Sequence, residues 1–133
     1  MYTLKEACKI TGLTEHTIRY YTDLGLVPSL KRDHNNRRLF DEESIDWLRG
    51  TKYLRDLGLS IEDIKKYHLY CQEDGDEAIQ NRYYIIQNAL HIAKQEIIEA
   101  KKRVQFLEKK LEHEKNILNH KTLDLKNPYK KQY

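Results

Sequence analysis

Cysteine is scarce in this chain: 133 residues hold two, Cys8 and Cys71, and no CxxC pair. That leaves no framework for a disulfide-stapled fold and none of the usual cysteine spacing of a metal module. No apolar run approaches the roughly 18–20 residues needed to cross a bilayer, and the N-terminus has no secretory h-region. The expectation is a cytoplasmic protein with reduced thiols and no membrane partner. A Gly-rich phosphate loop, a metal triad and a nucleophile beside a base are also missing, which reads against an enzyme and against a bound cofactor or metal. Apolar residues are thin at 39%, against 34% charged, lean for one compact globule. A long helix packed on a partner through a narrow stripe accounts for that balance.

Net charge is small too, at +3. Residues 1–70 carry twelve Lys/Arg against eleven Asp/Glu, so bulk charge does not point to nucleic acid. The distribution does. From Lys31 to Arg38 there are four cationic residues and His34 against the single acid Asp33, the kind of local basic patch that attracts a phosphate backbone.

Around that patch the chain reads as short helices. Thr3-Leu4-Lys5-Glu6 has the pattern of a capping box; Leu4, Ala7, Cys8 and Ile10 supply an inner face, and Gly12 ends the helix. Thr14 is a good N-cap for a second helix, with Ile18, Tyr21 and Leu24 as its apolar positions and Gly25 as its exit. Ser29 to Phe40 reads as two short strands around Asp33-His34-Asn35-Asn36, since Asp and Asn tolerate positive φ. Asp41 opens a third helix, fed by Ile45, Trp47, Leu48, Tyr53, Leu54 and Leu57 and closed by Gly58. Ser60-Ile61-Glu62-Asp63 starts a fourth, facing inward through Ile61, Ile64 and Tyr67.

Helix, glycine turn, helix and basic hairpin together suit DNA. His16 and Thr17 lie near the second helix's start, where base-reading residues of helix-turn-helix proteins sit. Arg19 offers a planar fork for a phosphate or a guanine edge; the competing reading pairs it with Asp23 at i,i+4. Of Tyr20 and Tyr21, one packs inward and the other offers its hydroxyl to a phosphate. Lys31, Arg32, Arg37 and Arg38 form the wing, and because neighbours on a strand point to opposite faces, at most one of Arg37 and Arg38 follows a given phosphate line.

Four segments in order, Tyr2 to Ala7, Thr17 to Tyr21 with Gly25-Leu26, Arg37 to Asp41, and Leu54 to Ser60, resemble the MerR family of bacterial transcription regulators across residues 2–70. The resemblance implies a winged helix-turn-helix domain followed by an antiparallel dimerisation coiled coil, and double-stranded promoter DNA, an inverted repeat, as partner. It favours Tyr20 on the DNA, makes Arg38 the more typical wing contact, and sets Arg55 near the operator's distorted centre. It also implies bending and untwisting of an over-long promoter spacer, so that RNA polymerase is affected indirectly. A neighbouring reading is an architectural or excisionase-like DNA-binding protein without an effector response.

Past residue 78 the pattern changes. Ile79, Tyr83, Ile86, Leu90, Ala93, Ile97, Ala100, Val104, Leu107 and Leu111 recur at 4,3 spacing, and the series resumes at Leu118. A 3.5 period predicts a left-handed two-helix seam, and the most economical partner is a second copy. The expected division is 1–70 DNA-binding domain, 71–78 joint, 79–118 homodimer helix and 119–133 tail. Cys71, at the joint, is the candidate effector or redox thiol; four acids in the next six residues disfavour its thiolate, and plain packing is the stronger reading. Cys8 reads as an inert core residue.

Overall fold

The computed structural model describes residues 1–132. In chain order it has α1 (Leu4–Thr11), α2 (Glu15–Asp23), β1 (Lys31–Arg32), β2 (Arg38–Leu39), α3 (Glu42–Asp56), α4 (Ile61–Cys71), α5 (Asp76–Leu118) and a 3-10 turn at Pro128–Lys131. The fold is mostly α with one small β-hairpin wing, as the residue pattern anticipated.

Local chemistry fixes the boundaries. At α1 the box is complete: Glu6 N–H donates to Thr3 Oγ1 at 3.2 Å, and Thr3 N–H donates to Glu6 Oε1 at 3.1 Å. Hydrogen bonding from the Thr3 amide, and then from its hydroxyl, holds the Glu6 carboxyl below its ordinary range. Gly12 then leaves at φ 75, and Lys52 of α3 donates to the Thr11 carbonyl at 3.1 Å. A cation at a helix C-terminus satisfies an orphan acceptor there and meets the negative end of the dipole. Thr14, Asp41 and Ser60 cap α2, α3 and α4 through side-chain oxygens that accept from the third residue on.

The wing is antiparallel, with Lys31 opposite Leu39 and Arg32 opposite Arg38. Its turn rests on Asp33, whose Oδ1 accepts from the Asn35 and Arg37 amides at 2.8 and 2.9 Å, while Asn36 takes the left-handed position at φ 61. Tyr2 and Phe40 exchange both backbone hydrogen bonds. The wing is thereby stitched to the residues that open α1.

Phe40, Ile18, Leu26, Ile45, Leu48, Leu59 and Ile64 are fully buried and make one cluster. Three apolar expectations fail, Leu57 among them at the C-cap of α3. Ile10 and Tyr53 are exposed, because the buried stripe of α1 runs through Ala7 and Thr11 and that of α3 through Ser44, Ile45, Leu48, Thr51 and Leu54. The core also contains a polar residue that hydropathy does not flag. His68 is buried on α4, with Nδ1 3.2 Å from the Leu26 carbonyl. Burial pushes its pKa down.

The chain divides into two compact units, residues 1–89 and 90–133. The first takes in the opening turns of α5, where Ala78 is buried and Ile85 and Ala89 pack against the cluster. In the second, α5 continues to Leu118, and its large apolar side chains stand open, Leu90 at 54%, Ile97 at 55% and Leu107 at 64% exposure. The tail is tied within that unit. Lys110 donates to the Lys131 carbonyl and pairs with Glu114 at 2.7 Å, and Lys131 pairs with Asp124 at 2.8 Å.

Candidate nucleic-acid interface

α2 presents His16, Arg19 and Tyr20 outward, with Thr17 half-buried. Thr17 donates its amide to Thr14 Oγ1 at 3.1 Å and takes a hydroxyl hydrogen bond from it at 2.9 Å, so the first turn of the helix is fixed at the cap. The two tyrosines divide as their spacing suggests. Tyr20 is 47% exposed and Tyr21 only 7%, their ring centroids 6.1 Å apart. Tyr21, named above among the DNA-contacting candidates, is therefore a core residue. One step along a helix turns a side chain by about 100°, and Ile18 and Tyr21 share the face that meets the cluster.

Arg19 pairs with Glu15, not with Asp23, at 3.8 Å and with both side chains well exposed. A pair that long and that wet leaves the guanidinium available to a stronger acceptor. Asp23 is occupied elsewhere. Arg38 opens β2 with its side chain 18% exposed, donating Nε to Thr22 Oγ1 and Nη2 to Asp23 Oδ1, each at 2.9 Å. Its charge is met inside the protein, and its bonds clamp the wing to the end of α2. Arg37, the residue before it, is exposed. The strand's alternation turns Arg38 toward α2 and leaves Arg37 outside. Arg32 donates to the Asn36 carbonyl at 2.9 Å, bracing the turn, and Lys31 lies 3.6 Å from Asp41.

α1, α2 and the wing enclose a cleft of about 590 Å³ whose lining includes Lys5, Arg19, Arg37 and Arg38 against Glu15 and Asp33. Lys5 is the residue that reading the sequence missed. Its only signal was a place in the first turn after a cap, and nothing in spacing says that this turn opens toward the wing. Arg55 is exposed at the end of α3, with Nη1 3.2 Å from the Leu59 carbonyl. It does not line that cleft. Cys71 is the exposed last residue of α4; Cys8 is half-buried, and burial raises its pKa. Among the described residues no group of three metal-binding side chains gathers and no helix is long and apolar enough to cross a membrane.

The chain is similar in sequence and fold to known proteins. Residues 2–70 match the MerR HTH family of regulatory proteins. An HTH-type transcriptional regulator of Haemophilus influenzae is 33% identical over 110 residues, which cover 83% of this chain and 81% of that one. The transcriptional regulator AdhR of Bacillus subtilis is 39% identical over 83 residues, 62% of this chain and 59% of its own length. Among solved structures, HiNmlR, a MerR family regulator lacking the sensor domain and bound to promoter DNA, superposes with a TM-score of 0.67 at 30% identity over 91% of each chain. With the family match spanning the capped helices, the wing and the α3–α4 pair just described, the chain belongs to the MerR family of helix-turn-helix DNA-binding transcription regulators.

Proposed function

We propose that this chain acts as a homodimer that grips a promoter inverted repeat, one recognition helix on each half-site. The observation that carries the reading is the cleft where Arg19 of α2 and Arg37 of the wing meet with Lys5. His16 and Thr17 would meet base edges, and Arg19, Tyr20, Lys31, Arg32, Arg37 and Lys5 the backbone. Arg38 acts through the wing: held by Thr22 and Asp23, it sets where Arg37 falls.

The exposed stripe on α5 supports pairing of residues 79–118 with a second copy, since large open apolar patches mark interfaces. An antiparallel pair gives a two-fold axis, and a two-fold protein asks for an inverted repeat. Arg55 is proposed to act nearer the operator's centre, where distortion costs several kcal/mol that backbone contacts offset. RNA polymerase would then respond to realigned promoter elements rather than to direct contact. Such a regulator works in the cytoplasm, at the chromosome. An architectural or excisionase-like protein leaves the α5 stripe without a role.

The test is titration on the DNA upstream of the protein's own gene at several salt concentrations. Arg37→Ala and Arg19→Ala each lose affinity and shallow the salt slope by about one unit, as loss of one phosphate contact should. Arg38→Ala loses affinity with the slope unchanged. Permanganate reactivity at the centre of the protected repeat reports untwisting; protection without reactivity removes distortion from the mechanism, and unaltered binding in both Arg37→Ala and Arg19→Ala removes the interface itself.

A further inference from the structure

The first unit contains a second concavity that takes no part in the DNA face. Between α3 and α4 lies a groove of about 380 Å³, in the range of small-molecule sites. Trp47 and Tyr53 of α3 and Tyr67 of α4 line it, with Glu43 and Asp46 alongside, and its lining contains no Lys or Arg. Trp47 stacks at a tilt on the His68 ring, centroids 4.9 Å apart. His68 is the one basic side chain in the lining, and burial disfavours its charged form, so the site's sign is set by the two carboxylates. Asp46 is partly balanced by Arg49, 3.6 Å away and exposed.

The floor is a glycine. Gly50 sits inside α3, where alanine is the better helix former, and no backbone requirement accounts for it, since a Cβ built there meets nothing within 4 Å. The empty side-chain position is part of the groove.

We propose that the α3–α4 groove binds a small organic cation bearing aromatic or alkyl groups, with Trp47, Tyr53 and Tyr67 supplying π-surface and Glu43 and Asp46 the counter-charge. Aromatic rings attract cations through their quadrupole, and desolvation at the groove floor strengthens that attraction. The inference does not rest on the DNA reading, because none of these side chains lines the α1–α2–wing cleft.

Trp47 is the chain's only tryptophan, so its emission reports occupancy directly. The full chain is titrated with benzyltrimethylammonium and, in parallel, with its neutral isostere neopentylbenzene. The cation is expected to saturate the signal, the isostere to bind about tenfold more weakly. Glu43→Gln combined with Asp46→Asn brings the cation down to the isostere's level, with the thermal melt unchanged because both residues are exposed. Gly50→Leu fills the floor and abolishes both responses. Equal binding of cation and isostere, retention of binding in Gly50→Leu, or no saturable response each overturns the proposal. An emission that shifts with protein concentration alone overturns it as well, and assigns the groove to a second copy of the chain.

Discussion

Residues 1–89 gather a buried core of large apolar side chains within the chain, and residues 90–118 leave most of theirs in water. Both stretches are helical and both repeat apolar residues every three to four positions, yet Ile18, Ile45 and Ile64 are fully buried whereas Leu90, Ile97 and Leu107 are each more than half exposed. The difference lies in what faces the stripe. α1 to α4 are short and amphipathic, and glycine exits turn them back on one another. Within the second unit, α5 has no other element long enough to cover it. Fully burying one Leu or Ile is worth about 1.5–3 kcal/mol, so the open stripe leaves unrealised a stabilisation that the buried cluster of the first unit already has.

Perturbing each side in turn tests that contrast. The largest effect is expected at Phe40, which is fully buried and also bridges the wing to Tyr2. Phe40→Ala should destabilise the first unit by about 3–5 kcal/mol in urea melts followed by Trp47 emission. DNA binding should fail with it. Next comes Ile97→Glu. A charge in the middle of the stripe should turn a dimer into a monomer by sedimentation while the Trp47 melt stays cooperative. A variant of unchanged mass means that residues 79–118 are not the seam.

A smaller effect is expected from acid. The folded pKa of His68 lies below the ordinary value of 6.5, so the unfolded chain binds more protons than the folded one between the two. Stability is then complete above about pH 6.5 and is lost as pH falls toward the folded pKa. His68→Gln, which keeps a donor near the Leu26 carbonyl, should flatten the melting temperature across that window; an unchanged slope would locate the proton elsewhere. The smallest effect is at Glu15. Glu15→Gln breaks a long, exposed pair with Arg19 and should change stability by less than about 0.5 kcal/mol, with DNA affinity no lower than before. A clear loss of affinity would show that Glu15 positions the Arg19 guanidinium.

The sequence marked the element borders well because local chemistry makes them. A Thr or Asp oxygen accepting an amide three residues on, or a glycine at φ 75, needs no distant partner to act. It placed the apolar period of α5 for the same reason. It was weaker wherever two elements had to meet. Which of Arg37 and Arg38 turned outward was fixed only once α2 lay beside the wing, and Lys5 meets Arg19 and Arg37 only in the folded cleft. His68 carried no sequence signal of burial, and it is Leu26, 42 positions away, whose carbonyl meets its ring in the core.

What the sequence determined alone was therefore the list of helices, the hairpin turn at Asn36, the candidate DNA-facing cations and the open stripe, each a matter of neighbours within a turn or two. What only the tertiary structure decided was which charges face out. Arg37 and Arg38 are chemically identical and adjacent. Asp23, fifteen residues from Arg38, draws that side chain inward and leaves Arg37 exposed, a choice that depends on folded geometry because an ion pair this local in space is remote along the chain.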